Sequence, residues 1–194
     1  MEFKDYQKYR WFYTSSEKLV VGGKNAEQNE MLLKTLKAEK KDKIIMHTAT
    51  PGSPFSAILA DVKSVKKEDI NECSIFTACF SRAWRDRKIK AEVDIFKLSN
   101  LYKLKAMKVG TWGVKGKIKR ISVPLALVLI KQKSKLRAVP ESAAKSKKDI
   151  LLRVLPGNMD KKEILNELKE DIKSKYTEEE ILSAFPSGAI SIKK

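Results

Sequence analysis

Short runs of β-forming residues alternate along the chain with four stretches in which apolar side chains recur every three or four residues. The β-forming runs predict strands at residues 10–14, 18–21, 43–47, 55–60, 91–97, 111–116, 119–130 and 149–155. The helical periodicity predicts helices at residues 25–38, 67–84, 160–174 and 177–184. This order predicts an α+β fold, with a mixed, mostly antiparallel β-sheet covered by two main helices and a small C-terminal helical extension.

The first 40 residues carry the clearest local signals. The first two predicted strands form a hairpin that ends at Gly22 and Gly23. Asn25 can cap the next helix, whose predicted core-facing residues are Met31, Leu32 and Leu36. A strand, two glycines and a helix start can present backbone N–H groups and the positive helix end to a phosphate. The same residues also suit an ordinary turn between a strand and a helix.

A polar, small-residue segment predicts the domain organisation. Residues 1–140 are predicted to form the main domain, residues 141–148 a linker, and residues 149–194 a small extension of a strand and helices. The apolar faces of the extension's helices suggest docking either on the main domain or on a protein partner.

Composition places the chain among globular proteins, with 194 residues, 42% hydrophobic and 34% charged. The longest apolar run, Val123 to Ile130, is far shorter than the roughly 20 residues that span a bilayer. The first 20 residues lack the apolar core of a signal peptide, so we expect a cytoplasmic protein without a membrane partner. Cys73 and Cys79 are six residues apart on one predicted helix and point to different faces, which predicts reduced, buried thiols.

Charge is concentrated in one stretch, from Ile95 to Pro140, which contains no Asp or Glu. Its basic residues are Lys97, Lys103, Lys105, Lys108, Lys115, Lys117, Lys119, Arg120, Lys131, Lys133, Lys135 and Arg137. They supply +12 of the chain's net charge of +17. Because strand-type residues lie between them, we expect the charge to cover one face of a β-sheet and to bind a polyanion. Nucleic acid is favoured over an anionic membrane or an acidic protein.

Catalytic signals are weak. His47 is the single histidine and ends a predicted strand, where a hydrogen-bonded structural role is the simplest interpretation. Residues 110–117 are rich in glycine and lysine, but they lack Walker A spacing and Ile118 stands in the Ser/Thr position. With no nucleophile beside a base, no metal-ligand spacing and no cofactor fingerprint, the sequence predicts neither catalysis nor a cofactor. The arginines around Trp84 suit phosphate binding with base stacking as well as an ordinary helix end.

Four segments together carry a recognisable pattern: Tyr9–Ser15 with Leu19–Glu30, His47–Phe55, Ala78–Trp84 and Gly110–Lys117. This pattern resembles the NFACT-R domain, the RNA-binding module of ribosome quality-control factors. The resemblance covers roughly residues 5–137. It departs from the family at Asn100-Leu-Tyr-Lys103, where the usual sequence is Gln-Val-Ser-Lys, and the following Gly-Glu-Tyr element is missing.

The resemblance implies a stand-alone, archaeal-type protein that binds RNA or ribosomes without catalysis. Relatives that extend nascent chains use further domains, so we expect no such activity from this chain alone. The resemblance and the charge together indicate these site residues: Arg10, Trp11, Gly22, Gly23, Lys24, Asn29, His47, Gly52, Ser53, Ser81, Arg82, Trp84, Lys103, Lys115, Lys117, Lys119 and Arg120. Trp11, Tyr13 and Trp112 are candidates for base stacking.

Three functional hypotheses follow. The first is a non-catalytic protein that binds tRNA or ribosomal RNA, with the large ribosomal subunit as a partner. The second is the RNA-holding subunit of a tRNA-modification enzyme of the thiolation type. The third is a DNA-binding protein, for which no groove-reading helix is evident. We expect the lysines to set affinity and salt dependence and the earlier segments to set selectivity.

Overall fold

The computed structural model describes residue 3, residues 5–168 and residues 170–193. Its helices are α1 (Ala26–Ala38), α2 (Lys67–Cys79), α3 (Arg82–Arg85), α4 (Lys161–Glu167), α5 (Glu170–Lys173) and α6 (Glu178–Ala184). Its strands are β1 (Arg10–Tyr13), β2 (Leu19–Gly22), β3 (Ile44–Thr48), β4 (Ser56–Ile58), β5 (Lys90–Lys97), β6 (Leu101–Tyr102), β7 (Gly113–Val114), β8 (Lys119–Pro124), β9 (Leu127–Gln132), β10 (Lys135–Val139), β11 (Leu152–Met159) and β12 (Ile190–Lys193). The pairings between these strands are antiparallel, so the α+β fold is confirmed. None of the described helices is both long enough and apolar enough to cross a bilayer.

A six-stranded sheet in the order β1-β2-β4-β3-β5-β8 carries one long helix on each face. Because side chains alternate along a strand, Trp11 and Phe12 point to opposite faces of the sheet. Trp11 packs in a cluster with Leu32 and Leu36 of α1, whereas Phe12 packs in a cluster with Phe76 of α2. Burial of each such side chain contributes about 1.5–3 kcal/mol. The helices α1 and α2 are therefore the two main covering helices that the periodicity predicts.

The inner face of α1 differs from the prediction at one position. Met31 is 60% exposed, whereas Leu33 is fully buried beside Leu32 and Leu36. These three leucines define the face that packs on the sheet, and Met31 lies on the opposite side of the helix.

The helix predicted over residues 67–84 is divided into α2 and α3. The Ser81 Oγ accepts a hydrogen bond from the N–H of Ala83 (3.1 Å) and donates one to the carbonyl oxygen of Ala78 (2.6 Å). Ser81 therefore caps a new helix, and its side chain competes with the backbone bonds that would continue α2.

The strand predicted over residues 119–130 is also divided. The first part, β8, ends at Pro124, which has no N–H to continue the ladder. The second part, β9, belongs to a four-stranded sheet in the order β10-β9-β11-β12. The strands β10 and β12 lie where the local pattern predicts none.

This second sheet joins strands from both sides of the predicted linker. β9 pairs with β11, so that Leu129 lies opposite Leu152. Ile164 and Ile181, from the C-terminal helices, are buried in the same cluster as Phe12 and Phe76. The extension therefore docks on the main domain, which is one of the two alternatives above. The boundaries at residues 141–148 stay a prediction.

Cys73 and Cys79 are free thiols and are fully buried. Burial raises the pKa of both thiols well above the ordinary value for cysteine. They are the reduced, buried cysteines that their spacing predicts.

Candidate nucleic-acid interface

A cleft with a volume of about 630 Å³ opens where four separate segments of the chain meet. The segments are the β2–α1 turn (residues 23–29), the β3–β4 loop (47–55), the connection from α2 to α3 (80–85) and residues 109–114 around β7. Arg10, Asp94 and Ser187 also contribute to the wall. Because these segments are far apart in sequence, only the folded chain brings them together.

Gly23 and Asn29 fix the β2–α1 turn against the β3–β4 loop. The Asn29 Oδ1 accepts a hydrogen bond from the N–H of Phe55 at 3.0 Å. A Cβ on Gly23 would lie 2.2 Å from that oxygen, so the turn requires glycine. Asn25 accepts the N–H of Gln28 at 2.8 Å, which confirms the predicted N-cap. The first residues of α1 line the cleft, and the positive end of the helix dipole therefore lies there.

Ser53 and Gly52 shape the β3–β4 loop. The Ser53 Oγ accepts the N–H of Thr48 at 2.9 Å and donates to the carbonyl oxygen of Pro54 at 3.1 Å. Gly52 has a φ of +108°, and its carbonyl oxygen accepts the N–H of Arg82 at 2.8 Å. The loop is thereby joined to the start of α3, and Arg82 stands at the border of the cleft.

Glu30, in α1, holds residues 103–112 in place. Its Oε2 accepts hydrogen bonds from Lys103 Nζ (2.8 Å), the N–H of Gly110 (3.0 Å) and Trp112 Nε1 (3.1 Å). Lys103 Nζ also donates to two carbonyl oxygens of the same segment. We call Glu30, Lys103, Gly110 and Trp112 the Glu30 latch. The latch positions the wall of the cleft that carries Trp112.

The Glu30 latch is charged at neutral pH. Burial would raise the pKa of Glu30, but hydrogen bonds from Lys103, Gly110 and Lys34 outweigh burial and hold the pKa at about 2. The Glu30 carboxylate is therefore ionised, and its hydrogen bonds are charge-assisted.

His47 is a hydrogen-bonded imidazole on the wall of the cleft. Its Nδ1 lies 2.7 Å from the carbonyl oxygen of Thr48, which can only accept, so Nδ1 carries the proton. Its ring packs on Phe55, with 4.6 Å between the centroids. Burial lowers the pKa of His47 and outweighs the opposing effects of Thr48 and Asp94. The ring is therefore neutral at pH 7, which leaves Nε2 as a hydrogen-bond acceptor.

Cationic side chains dominate the charge of the cleft. Arg10, Lys24 and Arg85 line it, and Asp94 is the one carboxylate among the described lining residues. Asp94 lies opposite Arg120 in the sheet and forms a bidentate ion pair with it, at 2.6 and 3.0 Å. Because this pair neutralises Asp94, the cleft carries a net positive charge.

The cleft collects many of the residues that the sequence indicates as a site. Eight of them line it: Arg10, Gly23, Lys24, Asn29, His47, Gly52, Ser53 and Ser81. Of the three candidates for base stacking, Trp112 lines the cleft. Tyr13 packs between Tyr6 and Lys133 instead.

Three predicted site residues lie in the core. Trp11 is 1% exposed beneath the guanidinium of Arg137, which is 4.1 Å from the ring centroid. Trp84 is 0% exposed, and its Nε1 donates to the carbonyl oxygen of Ala189 at 3.2 Å. Gly22 is also buried. Each lies on the inner side of a packed element, so none of them offers a surface to RNA.

The acid-free stretch does not form one basic face. Its strands are divided among three sheets, because β5 and β8 belong to the first, β6 pairs with β7, and β9 and β10 belong to another. In the part of the chain that the structure describes, three of its cations pair with acids from other segments: Lys103 with Glu30, Arg120 with Asp94, and Lys135 with Glu180. The prediction of a single basic sheet face is therefore wrong. Lys115, Lys117 and Lys119 are exposed, outside the lining of the cleft.

Sequence reasoning missed the Glu30 latch. Glu30 is separated from Lys103 by 73 positions and from Trp112 by 82, so no local pattern links them. One signal was present, because Glu30 lies three residues before Leu33 on the apolar face of α1. An acid on such a face requires partners, since an unpaired buried charge is costly.

Comparison with known proteins assigns a domain family to the part of the chain that contains the cleft. The family model described as the NFACT protein RNA binding domain matches residues 8–116. The chain belongs to this family. The matched range of the NFACT RNA-binding domain contains all four cleft segments and the Glu30 latch. Arg137 and the C-terminal strands lie beyond it.

Two relatives extend the comparison. The chain is 29% identical to the archaeal Rqc2 homolog aRqcH of Methanocaldococcus jannaschii over 205 aligned positions, which cover all of this chain and 30% of that protein. The chain thus spans about 30% of that relative's length. The C-terminal part of the fibronectin/fibrinogen-binding protein from Streptococcus suis matches with a TM-score of 0.52 and 23% identity, over 60% of this chain and 44% of that one. This second likeness shows a shared fold.

Proposed function

We propose that this chain is a non-catalytic RNA-binding module that acts on tRNA or ribosomal RNA in ribosome quality control, with the large ribosomal subunit as its partner. Membership in the NFACT RNA-binding domain family supports RNA as the ligand. Similarity to an Rqc2 homolog supports the setting.

One observation carries the proposal, namely the cationic cleft built from four separated family segments. Its volume of about 630 Å³ lies within the range of about 300–1,000 Å³ that is typical of ligand pockets. Among the described residues that line the cleft, no free acid faces these cations, because Arg120 neutralises Asp94. Such a cleft can accept an unstacked base together with its phosphate.

Each wall of the cleft supplies a different contact. Arg10, Lys24 and Arg85 neutralise phosphates, and the N-terminal end of α1 adds its positive dipole. The neutral His47 accepts a hydrogen bond at Nε2 from a 2′-hydroxyl or a base N–H. Trp112, which the Glu30 latch holds in the wall, provides a surface for stacking.

The exposed lysines outside the cleft raise affinity without selecting a sequence. Lys115, Lys117 and Lys119 can each neutralise a phosphate and release its counterions. Arg120 contributes less, because Asp94 already neutralises it. Removal of the three lysines should weaken binding of every RNA to a similar degree.

Fluorescence anisotropy with a tRNA and a ribosomal RNA fragment, at two salt concentrations, tests the proposal. The cleft variant Arg82→Gln/Arg85→Gln removes one cation that lines the cleft, Arg85, and one at its border, Arg82, which lies against Gly52. We expect it to lose about 10-fold or more in affinity and to reduce the slope of log K against log salt by about 1.4, at roughly 0.7 per lost phosphate contact with single-stranded RNA.

A matched control removes two charges elsewhere. Lys63→Gln/Lys67→Gln changes exposed lysines near the start of α2, roughly 20 Å along the helix from its cleft end. This variant should bind as the wild type does. Equal affinities of the cleft variant and this control would contradict the proposal.

The two remaining hypotheses have direct tests. Competition between RNA and DNA of equal sequence separates an RNA-binding module from a DNA-binding protein. Contacts to phosphates are common to both nucleic acids, so a preference in this competition must come from the other contacts. Co-purification with a tRNA-modifying enzyme, and not with ribosomal subunits, would favour the RNA-holding subunit.

A further inference from the structure

A second, smaller cavity of about 110 Å³ lies behind Arg10. It is walled by β1, by the C-terminal half of α2, by β10 and by α6. Three cations line it, namely Arg10, Lys24 and Arg137, and its described lining residues include no carboxylate. Since one water occupies about 30 Å³ of liquid, the cavity has room for three or four waters or for one phosphoryl group.

Both arginines are held in place by aromatic rings and backbone carbonyls. The Arg10 guanidinium lies 5.1 Å from the centroid of the Phe80 ring, and its Nη1 donates to the carbonyl oxygen of Gly23 at 2.9 Å. The Arg137 guanidinium lies 4.1 Å from the centroid of the Trp11 ring, and its Nη1 donates to the carbonyl oxygen of Leu136 at 2.8 Å. The ring contact and the hydrogen bond to a carbonyl oxygen restrain each guanidinium, and its remaining N–H groups are left for a further acceptor.

Donors remain unused in this arrangement. A guanidinium has five N–H groups, and the buried Arg137 Nε has no hydrogen-bond acceptor in the described chain. Neither Arg10 nor Arg137 forms an ion pair with a described carboxylate. A half-buried arginine without an anion is costly, because one carbonyl oxygen and one aromatic ring replace only part of the hydration that burial removes.

The three cations also repel one another. Burial lowers the pKa of Arg10 to about 10 and lowers the pKa of Arg137. Burial, followed by the charges of Arg10 and Arg137, lowers the pKa of Lys24. An anion between them would replace the lost hydration and relieve this repulsion at once.

We propose that this cavity binds one phosphoryl group, held by Arg10, Arg137 and Lys24. Three cations with free N–H donors suit the double charge and the several acceptor oxygens of a phosphoryl group better than the single charge of a carboxylate or a chloride. Arg10 and Lys24 also line the RNA cleft, whereas Arg137 lies outside the family match at residues 8–116. Residues of the NFACT RNA-binding domain therefore supply two of the three cations, and the second sheet supplies the third, Arg137. This inference stands whether or not the cleft binds RNA.

Thermal unfolding in sodium phosphate and in sodium chloride of equal ionic strength tests the site. For a dissociation constant on the order of 1 mM, 10 mM phosphate should raise the Tm of the wild type by roughly 3 to 6 °C over chloride. Arg137→Gln and Lys24→Gln should each lose at least half of this shift. Lys131→Gln removes one exposed charge from the neighbouring strand β9 and should keep all of it.

Two further measurements separate folding effects from binding. Arg137→Gln loses the contact with Trp11 and is the variant that could be destabilised. Lys24 is exposed, so Lys24→Gln should fold normally in either case. In the wild type, NMR titration with phosphate should shift the Nε–H resonance of Arg137. The proposal would be overturned if phosphate gave no extra stabilisation over chloride and the Arg137 resonance did not move. It would also be overturned if phosphate raised the Tm of Lys24→Gln as much as that of the wild type.

Short RNAs with and without a 5′-phosphate identify the source of the phosphoryl group. If the site takes an RNA end, the 5′-phosphorylated tetranucleotide should bind at least 5-fold more tightly, and Arg137→Gln should abolish the difference. If it takes a free anion, inorganic phosphate should stabilise the protein while the two RNAs bind equally. Failure of both ligands would refute the site and would leave the RNA cleft untouched.

Discussion

Replacing Glu30 with glutamine tests the Glu30 latch and, through it, the wall of the RNA cleft. Glutamine keeps an acceptor oxygen of nearly the same size but carries no charge. The three donors that meet at Glu30 Oε2, at 2.8 to 3.1 Å, then lose their charged acceptor. Lys103 Nζ retains two backbone carbonyl acceptors, so the largest losses fall on Gly110 and Trp112.

The structure sets the size of the effect. A hydrogen bond to a charged group contributes roughly 1.5–3 kcal/mol, and one between neutral groups roughly 0.5–1.5 kcal/mol. Loss of charge at two or three bonds therefore costs about 2–3 kcal/mol. The pKa gives a similar upper limit, because a decrease from 4.5 to about 2 corresponds to roughly 3 kcal/mol at 1.36 kcal/mol per tenfold change in the proton affinity of the Glu30 carboxylate.

Two assays measure this cost. Thermal unfolding at pH 7 should show a decrease in Tm of about 5 to 10 °C for Glu30→Gln. Hydrogen exchange should accelerate in residues 103–112 well before the core strands, because the latch holds a surface segment. Glu27→Gln, at an exposed position one turn earlier in α1, should leave the exchange of that segment unchanged.

The pH dependence gives a signature of its own. The pKa of Glu30 in the folded chain lies below its ordinary value of 4.5, so the ionised latch stabilises the fold fully above pH 4.5. That contribution is lost as the pH falls from 4.5 toward 2. Glu30→Gln should flatten the stability curve over this range. If residues 103–112 exchanged hydrogen at the same rate in Glu30→Gln as in the wild type, the role of the Glu30 latch would be refuted.

Three further predictions follow from individual contacts. Gly23→Ala places a Cβ against Asn29 Oδ1 and should destabilise the fold by about 1–3 kcal/mol while weakening RNA binding; an unchanged denaturation midpoint would contradict this. Because burial lowers the pKa of His47, its neutral form stabilises the fold above pH 6.5, and stability should fall as the pH drops below that value. NMR titration of the His47 ring measures this pKa, and a value above 6.5 would contradict the prediction. Trp84→Phe removes the hydrogen bond to Ala189, so denaturation should show a loss of about 1–2 kcal/mol of stability and anisotropy no change in RNA affinity. A selective loss of RNA binding would instead indicate that Trp84 contacts RNA.

Local signals in the sequence predicted the elements that local contacts determine. The Asn25 cap and the opening hairpin depend on residues a few positions apart, and both are present in the structure. The cap at Ser81, which divides the predicted helix, is equally local, but the continued apolar periodicity through Trp84 concealed it.

Long-range pairing was not predictable in the same way. A strand pattern carries no information about which sheet a strand joins, so the acid-free stretch was expected to form one basic face although its strands enter three sheets. The β9–β11 pairing, which crosses the predicted linker, has the same origin.

The candidate site shows both situations. Residues in the family-like segments, such as Gly23, His47 and Gly52, were found from the sequence, and the structure brings them to one cleft. Glu30 and Arg137 were not found, because their contacts join segments that are distant in sequence. Trp11 and Trp84 were indicated for their chemistry, which suits a packed core as well as an RNA surface.

Ultraviolet crosslinking of the protein to a tRNA, followed by mass spectrometry of the crosslinked peptides, tests the RNA cleft most directly. We predict crosslinks in the four cleft segments, residues 23–29, 47–55, 80–85 and 109–114, with competition by unlabelled RNA. Crosslinks confined to the exposed lysines of residues 115–120, with the four segments unmodified, would contradict the assignment of the cleft as the RNA interface.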